Sequence, residues 1–239
     1  MQIVVSAVAR WNVTRMRRGL LSGLSTGSVA ALLGWAMAAG PAHGQASSNP
    51  NLNAQLLVAA RQSDVVRLER ALAQGAEPNS RNRLGKTALL LASEKGNLEL
   101  ADRLLAGGAD VNLETLEGVT PLMAASYGGH AAVVKRLLAA GARPEPLDRM
   151  KKPAIVYAAG QGQAEVLDLL LGSGVDVNAA YEHRLTPLMW AAGQGHVDAV
   201  RLLLARGARS DLRDDRGLEA RDIAKQSGQL AVLPLLGGE

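Results

Sequence analysis

Residues 120–130 read TPLMAASYGGH and residues 186–196 read TPLMWAAGQGH. The two phrases begin 66 positions apart, so 66 is either the period of the chain or a multiple of it. A step of 33 decides the matter. From Ala54 it leads to Thr87, Thr120, Pro153, Thr186 and Glu219. Five residues beyond each start lies an alanine: Ala59, Ala92, Ala125, Ala158, Ala191 and Ala224. Nine beyond come Ser63, Gly96, Gly129, Gly162, Gly195 and Gly228, and twenty-one beyond come Gly75, Gly108, Gly141, Gly174 and Gly207. No insertion breaks the register between Ala54 and Gly228.

Each conserved offset has a mechanical reading. A threonine before Pro121 or Pro187 caps a helix whose first turn tolerates proline, because the N–H missing there has no helical partner anyway. Alanine at the fifth offset lets two helices approach closely. Glycine at the ninth ends the first helix in a left-handed conformation. Val133-Val134 and Leu137-Leu138 then recur at helical spacing and mark the buried stripe of a second helix, which stops at Gly141. A polar finger of about ten residues follows, with Asp110 and Asn112, or Asp176 and Asn178, as turn formers. One such unit cannot bury its apolar face alone, so stacking is the fold.

The 33-residue unit and its T-P-L phrase resemble the ankyrin-repeat family. GVTPLMAASYGGHAAVVKRLLAAGARPE (118–145) and RLTPLMWAAGQGHVDAVRLLLARGARSD (184–211) carry the likeness best. GKTALLLASEKGNLELADRLLAGGADVN (85–112) and KKPAIVYAAGQGQAEVLDLLLGSGVDVN (151–178) follow with small changes. The resemblance covers roughly residues 50–236 and implies an all-α solenoid of about six helix–turn–helix units with β-turn fingers. The units start near 54, 87, 120, 153, 186 and 219, and the first and last are degenerate. Where the family has histidine in T-P-L-H, this chain has Leu90, Met123, Val156 and Met189, so those positions should be apolar. Pro153 removes a hydroxyl cap and Lys151 replaces a glycine, so the finger at 144–152 is expected to be irregular. Pro234 falls inside the last helix and should shorten it.

The N-terminus reads differently. Arg17-Arg18, an apolar run from about Val29 to Ala39 and a small-residue stretch to Ala46 follow the layout of a secretory signal. Residues 1–44 are expected to be removed, leaving 45–53 as a short linker; Met16 is a candidate true start. The apolar run is shorter than the roughly 20 residues that span a bilayer. A plain secretory signal is favoured, with a twin-arginine route as the alternative. The style of this signal suggests a bacterial protein in the periplasm or secreted. Residues 1–44 hold Arg10, Arg15, Arg17 and Arg18 and no acid, so the remainder carries 22 basic and 22 acidic residues. Zero net charge removes the global electrostatic case for nucleic-acid binding.

With no cysteine in the chain, thiolate metal sites, disulfides and cysteine nucleophiles are excluded. No nucleophile–base pair or metal-spaced cluster is visible, and GQGQ at 160–163 sits at a helix end rather than after a strand, so it is a cap and not a phosphate loop. The expectation is a non-catalytic chain without cofactor or metal, monomeric, that binds another protein. The resemblance implies contact through finger tips and the concave face of the first helices. By offset, the fingers present Arg81, Arg83 and Lys86, then Glu117, then Arg149, Met150, Lys151 and Lys152, then His183 and Arg184, then Arg216. The first helices add Glu94, Lys95, Tyr127, Gln161 and Gln194. Tyr157 and Trp190, four residues after their unit starts, are expected in the core. Two alternatives stay open: a tethered form keeping residues 20–39 as an anchor, and a small-molecule binder or enzyme using the groove.

Overall fold

The computed structural model describes residues 49–237. Within them the chain is helical, with no strand among the described residues. First helices are α1 (Pro50–Gln62), α3 (Ala88–Glu94), α5 (Pro121–Tyr127), α7 (Ala154–Gly160), α9 (Pro187–Gln194) and α11 (Ala220–Gln226). Second helices are α2 (Val65–Ala73), α4 (Leu98–Ala106), α6 (Ala131–Ala139), α8 (Ala164–Gly172) and α10 (Val197–Ala205). The sixth unit closes with a 3-10 turn, Leu230–Leu235, that contains Pro234. Proline removes an amide donor and cannot continue an α-helix, which explains the substitution. The first helix starts at Pro50, capped by Asn49, so residues 50–53 are helical.

The repeated residues act as their offsets require. Thr87, Thr120 and Thr186 are buried and accept from the N–H of Leu90, Met123 and Met189 at 3.2, 3.2 and 3.3 Å. Pro153 supplies no such bond. All six alanines at the fifth offset are fully buried, and the apolar replacements Leu90, Met123, Val156 and Met189 are also in the core.

Fingers are built around a second 33-residue series that pattern reading passed over. Asn82, Thr115, Asp148 and Asp214 each accept from the N–H groups two and four residues on, at 2.9–3.2 Å. This closes each finger into a tight turn whose penultimate position has positive φ: Gly85 (77°), Gly118 (78°), Lys151 (53°) and Gly217 (78°). The third finger therefore keeps the turn despite Lys151, while its D-x-N turn is gone, with Arg143-Pro144-Glu145 in its place. Tyr181 interrupts the series, and there the chain forms a 3-10 turn with His183 and Arg184 both at positive φ. Left-handed backbone costs a side-chain-bearing residue roughly 1–2 kcal/mol, part of which glycine returns as unfolded-state entropy. Lys151→Gly should accordingly raise stability by about 0.5–1 kcal/mol. Thermal unfolding monitored by circular dichroism checks it; a lower midpoint would refute the strain.

Neighbouring units are also tied by polar links. Asn79, Asn112 and Asn178 each reach the next unit, accepting from the N–H of Asp110, Arg143 and Arg209 at 2.8–2.9 Å and donating to the carbonyl of Gly108, Gly141 and Gly207. Adjacent fingers join through Leu116 N–H to Leu84 O, Arg149 N–H to Glu117 O, and Asp215 N–H to His183 O. His130 and His196, from the repeated phrase, donate Nε2–H to the carbonyls of Glu94 and Gly160 at 3.1 and 3.0 Å. Across the second helices, Arg103 pairs with Glu69, Arg136 with Asp102 and Arg206 with Asp168.

All four kinds of link join the second unit to the third and the fourth to the fifth. None joins the third to the fourth, where Glu145, Gln163 and Leu169 stand at the corresponding positions. What holds that seam is apolar packing, with Leu122, Met123, Ile155 and Val156 buried, plus Tyr157 and a weak Lys151–Glu182 contact at 4.0 Å. The sixth unit also goes without these links among the described residues.

Candidate partner-binding face

Fingers and first helices share one side of the solenoid. Of the residues expected there, Arg81, Arg83, Glu94, Lys95, Glu117, Tyr127, Arg149, Met150, Lys151, Gln161, His183, Arg184, Gln194 and Arg216 are exposed, and Lys86 and Lys152 are half-buried. The charged tips are largely consumed by one another. Lys86 pairs with Glu94 at 2.6 Å, Arg149 with Glu117 at 3.0 Å and Arg216 with Asp214 at 2.7 Å, while His183 Nδ1 lies 3.8 Å from Asp215. Arg81, Arg83, Lys95 and Arg184 make no ion pair among the described residues. Exposed pairs of this kind contribute about 0–1 kcal/mol, so they cancel part of the charge of the face and stabilise it little, and the unpaired cations leave it basic.

Beside these free cations the face displays apolar side chains. Leu84, Leu116 and Met150 crown three successive fingers at 62, 59 and 56 % exposure, and Tyr127 on the adjoining helix is 54 % exposed. The finger-to-finger backbone bonds set these tips in a row. Leu84 is at the offset of Met150, and the reading by offset passed over it.

Beside the row lies a recess lined by Tyr127, Lys152, Val156, Tyr157, Gly160, Gln161, Trp190 and Gln194. Four of these were expected on the face. Tyr157 and Trp190 correct the reading that placed them in the core: both are only partly buried and form a wall of the recess. For Trp190 the cause is Gly160 at the end of α7, which faces the ring and offers no side chain to cover it. Tyr127 meets Tyr157 edge-on, with ring centroids 6.0 Å apart. The Lys152 ammonium sits 4.4 Å from the centre of the Trp190 ring, a cation–π contact.

The Tyr157 hydroxyl donates to the buried Asp148 carboxylate, whose other oxygen holds the finger turn. Burial, reinforced by that bond and by the carboxylate's charge, holds the Tyr157 phenol well above its ordinary pKa. It is therefore a fixed neutral donor, not an acid–base group. Burial pushes Asp214 in the fifth finger upward, but bonds from Leu218, Arg216 and its own turn outweigh it and leave the carboxyl below the ordinary range. Among the described residues no three His, Asp or Glu side chains gather as a metal site.

The three-copy ankyrin-repeat family model matches residues 56–148 and again residues 155–238. The chain belongs to the ankyrin-repeat family. No curated protein matches it. Ankyrin repeats are in general protein-interaction modules, and typically non-catalytic. The two ankyrin matches part at residues 149–154, the place where Lys151 and Pro153 depart from the repeat and where the polar links between units lapse.

Proposed function

We propose that the chain is a non-catalytic scaffold that binds, and thereby supports, a partner protein through its finger tips and first-helix face. The observation that carries this reading is the aligned row Leu84–Leu116–Met150, continued by Tyr127, on a surface where part of the charge is paired and the unpaired part is basic. Apolar tips set in a polar rim suit desolvation against another protein, where a few aromatic and apolar anchors dominate. The chain acts outside the cytoplasm, in the periplasm or beyond it. The support for that is the charged, apolar, small-residue order of residues 16–46, which lie outside the described residues. No helix of the described residues is long and apolar enough to cross a membrane.

The test is affinity capture from an extract of the organism that makes the protein, with the natural bait beside a Leu84→Ser, Leu116→Ser, Met150→Ser bait. All three positions are exposed, so the variant should melt within about 0.5 kcal/mol of the parent per site. Truncating an anchor of this kind typically costs more than ~1 kcal/mol, so combined loss should exceed about a hundredfold. A protein held by the first bait and lost by the second is the expected result. Capture indifferent to the three changes, or nothing captured, overturns the reading.

A further inference from the structure

We propose that the recess between Tyr127, Tyr157 and Trp190 is a peptide-recognition pocket that receives an acidic side chain of an extended partner segment, beside an apolar neighbour. This rests on the interaction reading above and narrows it from a face to a pocket. Size comes first. The recess holds about 200 Å³, below the roughly 300–1,000 Å³ of typical small-molecule sites, and so fits one side chain rather than a cofactor.

Charge comes second. Lys152 is the one charged side chain that lines it, and it makes no ion pair among the described residues. The nearby Asp148 is buried and already accepts from Tyr157 and from the N–H groups of Met150 and Lys152. Three aromatic rings alone would suit a cation, but the Lys152 ammonium already covers Trp190 and repels a second positive group. A carboxylate is the complementary partner. It would gain a charge-assisted hydrogen bond from Lys152, while the open edge of Tyr127 offers a platform for an adjacent apolar side chain.

Backbone recognition comes third. Gln161 and Gln194 occupy the same offset in successive units, and both line the recess. Each amide carries a donor and an acceptor, the complement of a peptide group in an extended strand.

Gly160 provides a test that separates binding from folding. It is the last residue of α7, its backbone lies outside the positive-φ region, and an added Cβ would meet only Trp190 Cε3 at an ordinary 3.8 Å. Gly160→Met should fill the pocket without loss of stability. Lys152→Met keeps an aliphatic cover on Trp190 and removes the charge alone. The probe is a displayed library of random dodecapeptides, panned on the parent and on both variants, each checked by thermal melting. The parent should enrich Asp or Glu next to an aromatic or branched apolar residue about tenfold. Lys152→Met should lose the acidic preference but keep the apolar one, and Gly160→Met should lose both. Enrichment of basic peptides, enrichment unchanged in both variants, or none at all overturns the pocket. A library without enrichment, alongside capture that still needs the finger tips, removes the pocket and leaves the scaffold standing. Capture indifferent to the tips removes the scaffold itself.

Discussion

Amide hydrogen exchange should divide the solenoid into two blocks that meet at Lys152–Pro153, with the second block opening without the first. In a linear array each unit touches only its neighbours, so cooperativity is set by the interface terms. The flanking interfaces each carry an Asn link, a finger-to-finger bond, a His link and an ion pair, and the third–fourth interface carries none of them. Neutral links contribute about 0.5–1.5 kcal/mol each and an exposed pair about 0–1, and the Tyr157–Asp148 hydrogen bond across the seam offsets part of that, so the seam is weaker by roughly 1–2 kcal/mol. The second block also ends in the 3-10 turn with Pro234, which is why it opens first. Two substitutions should repair the seam. Glu145→Asn places an amide where Asn112 and Asn178 stand, within reach of Gly174 O and the Asp176 N–H by analogy of offset. Gln163→His does the same for the link to the Tyr127 carbonyl. Together they should add about 1–3 kcal/mol and merge the two blocks. Uniform protection across 152–153 in the parent, or no gain in the double variant, contradicts the seam.

A second large effect is expected from overpacking the small-residue contact between helices. Ala125→Leu should destabilise the chain by about 1–3 kcal/mol, because three additional carbons must enter a site with no exposed surface. Ala139→Leu, on the exposed side of α6, is the control and should stay within about 0.5 kcal/mol of the parent. Chemical denaturation of both measures the difference. Equal stability of the two would mean that the fifth offset does not set helix spacing.

The fold was legible because its determinants are periodic and local. Thr120, Ala125, Gly129 and Gly141 each act within their own unit, and 33-residue spacing identifies them without any tertiary knowledge. The caps, the frayed last helix and the apolar replacements of the family histidine follow from the same logic. The finger-closing series Asn82, Thr115, Asp148 and Asp214 was harder to see, because its residues share a hydrogen-bonding role but not an identity. The candidate face was half legible. Tyr127, Lys152, Gln161 and Gln194 are placed by offset, but the same reading by offset puts Tyr157 and Trp190 in the core. For Trp190 it is Gly160 in the preceding unit, with no side chain to lay over the ring, that leaves it uncovered. Charge pairing escaped for a related reason. Glu117 and Arg149 lie in different fingers, and the sequence lists them as two charges where the structure makes one neutral pair.

The most direct test of the scaffold reading is site-specific photo-crosslinking in the cells that make the protein. Benzoylphenylalanine would replace Leu84 at a finger tip, Tyr127 on the first-helix face, and Lys135 on the exposed second helix α6. The account predicts the same protein joined from positions 84 and 127 and none from 135. A partner joined from 135 alone, or no adduct from 84 and 127, would contradict it.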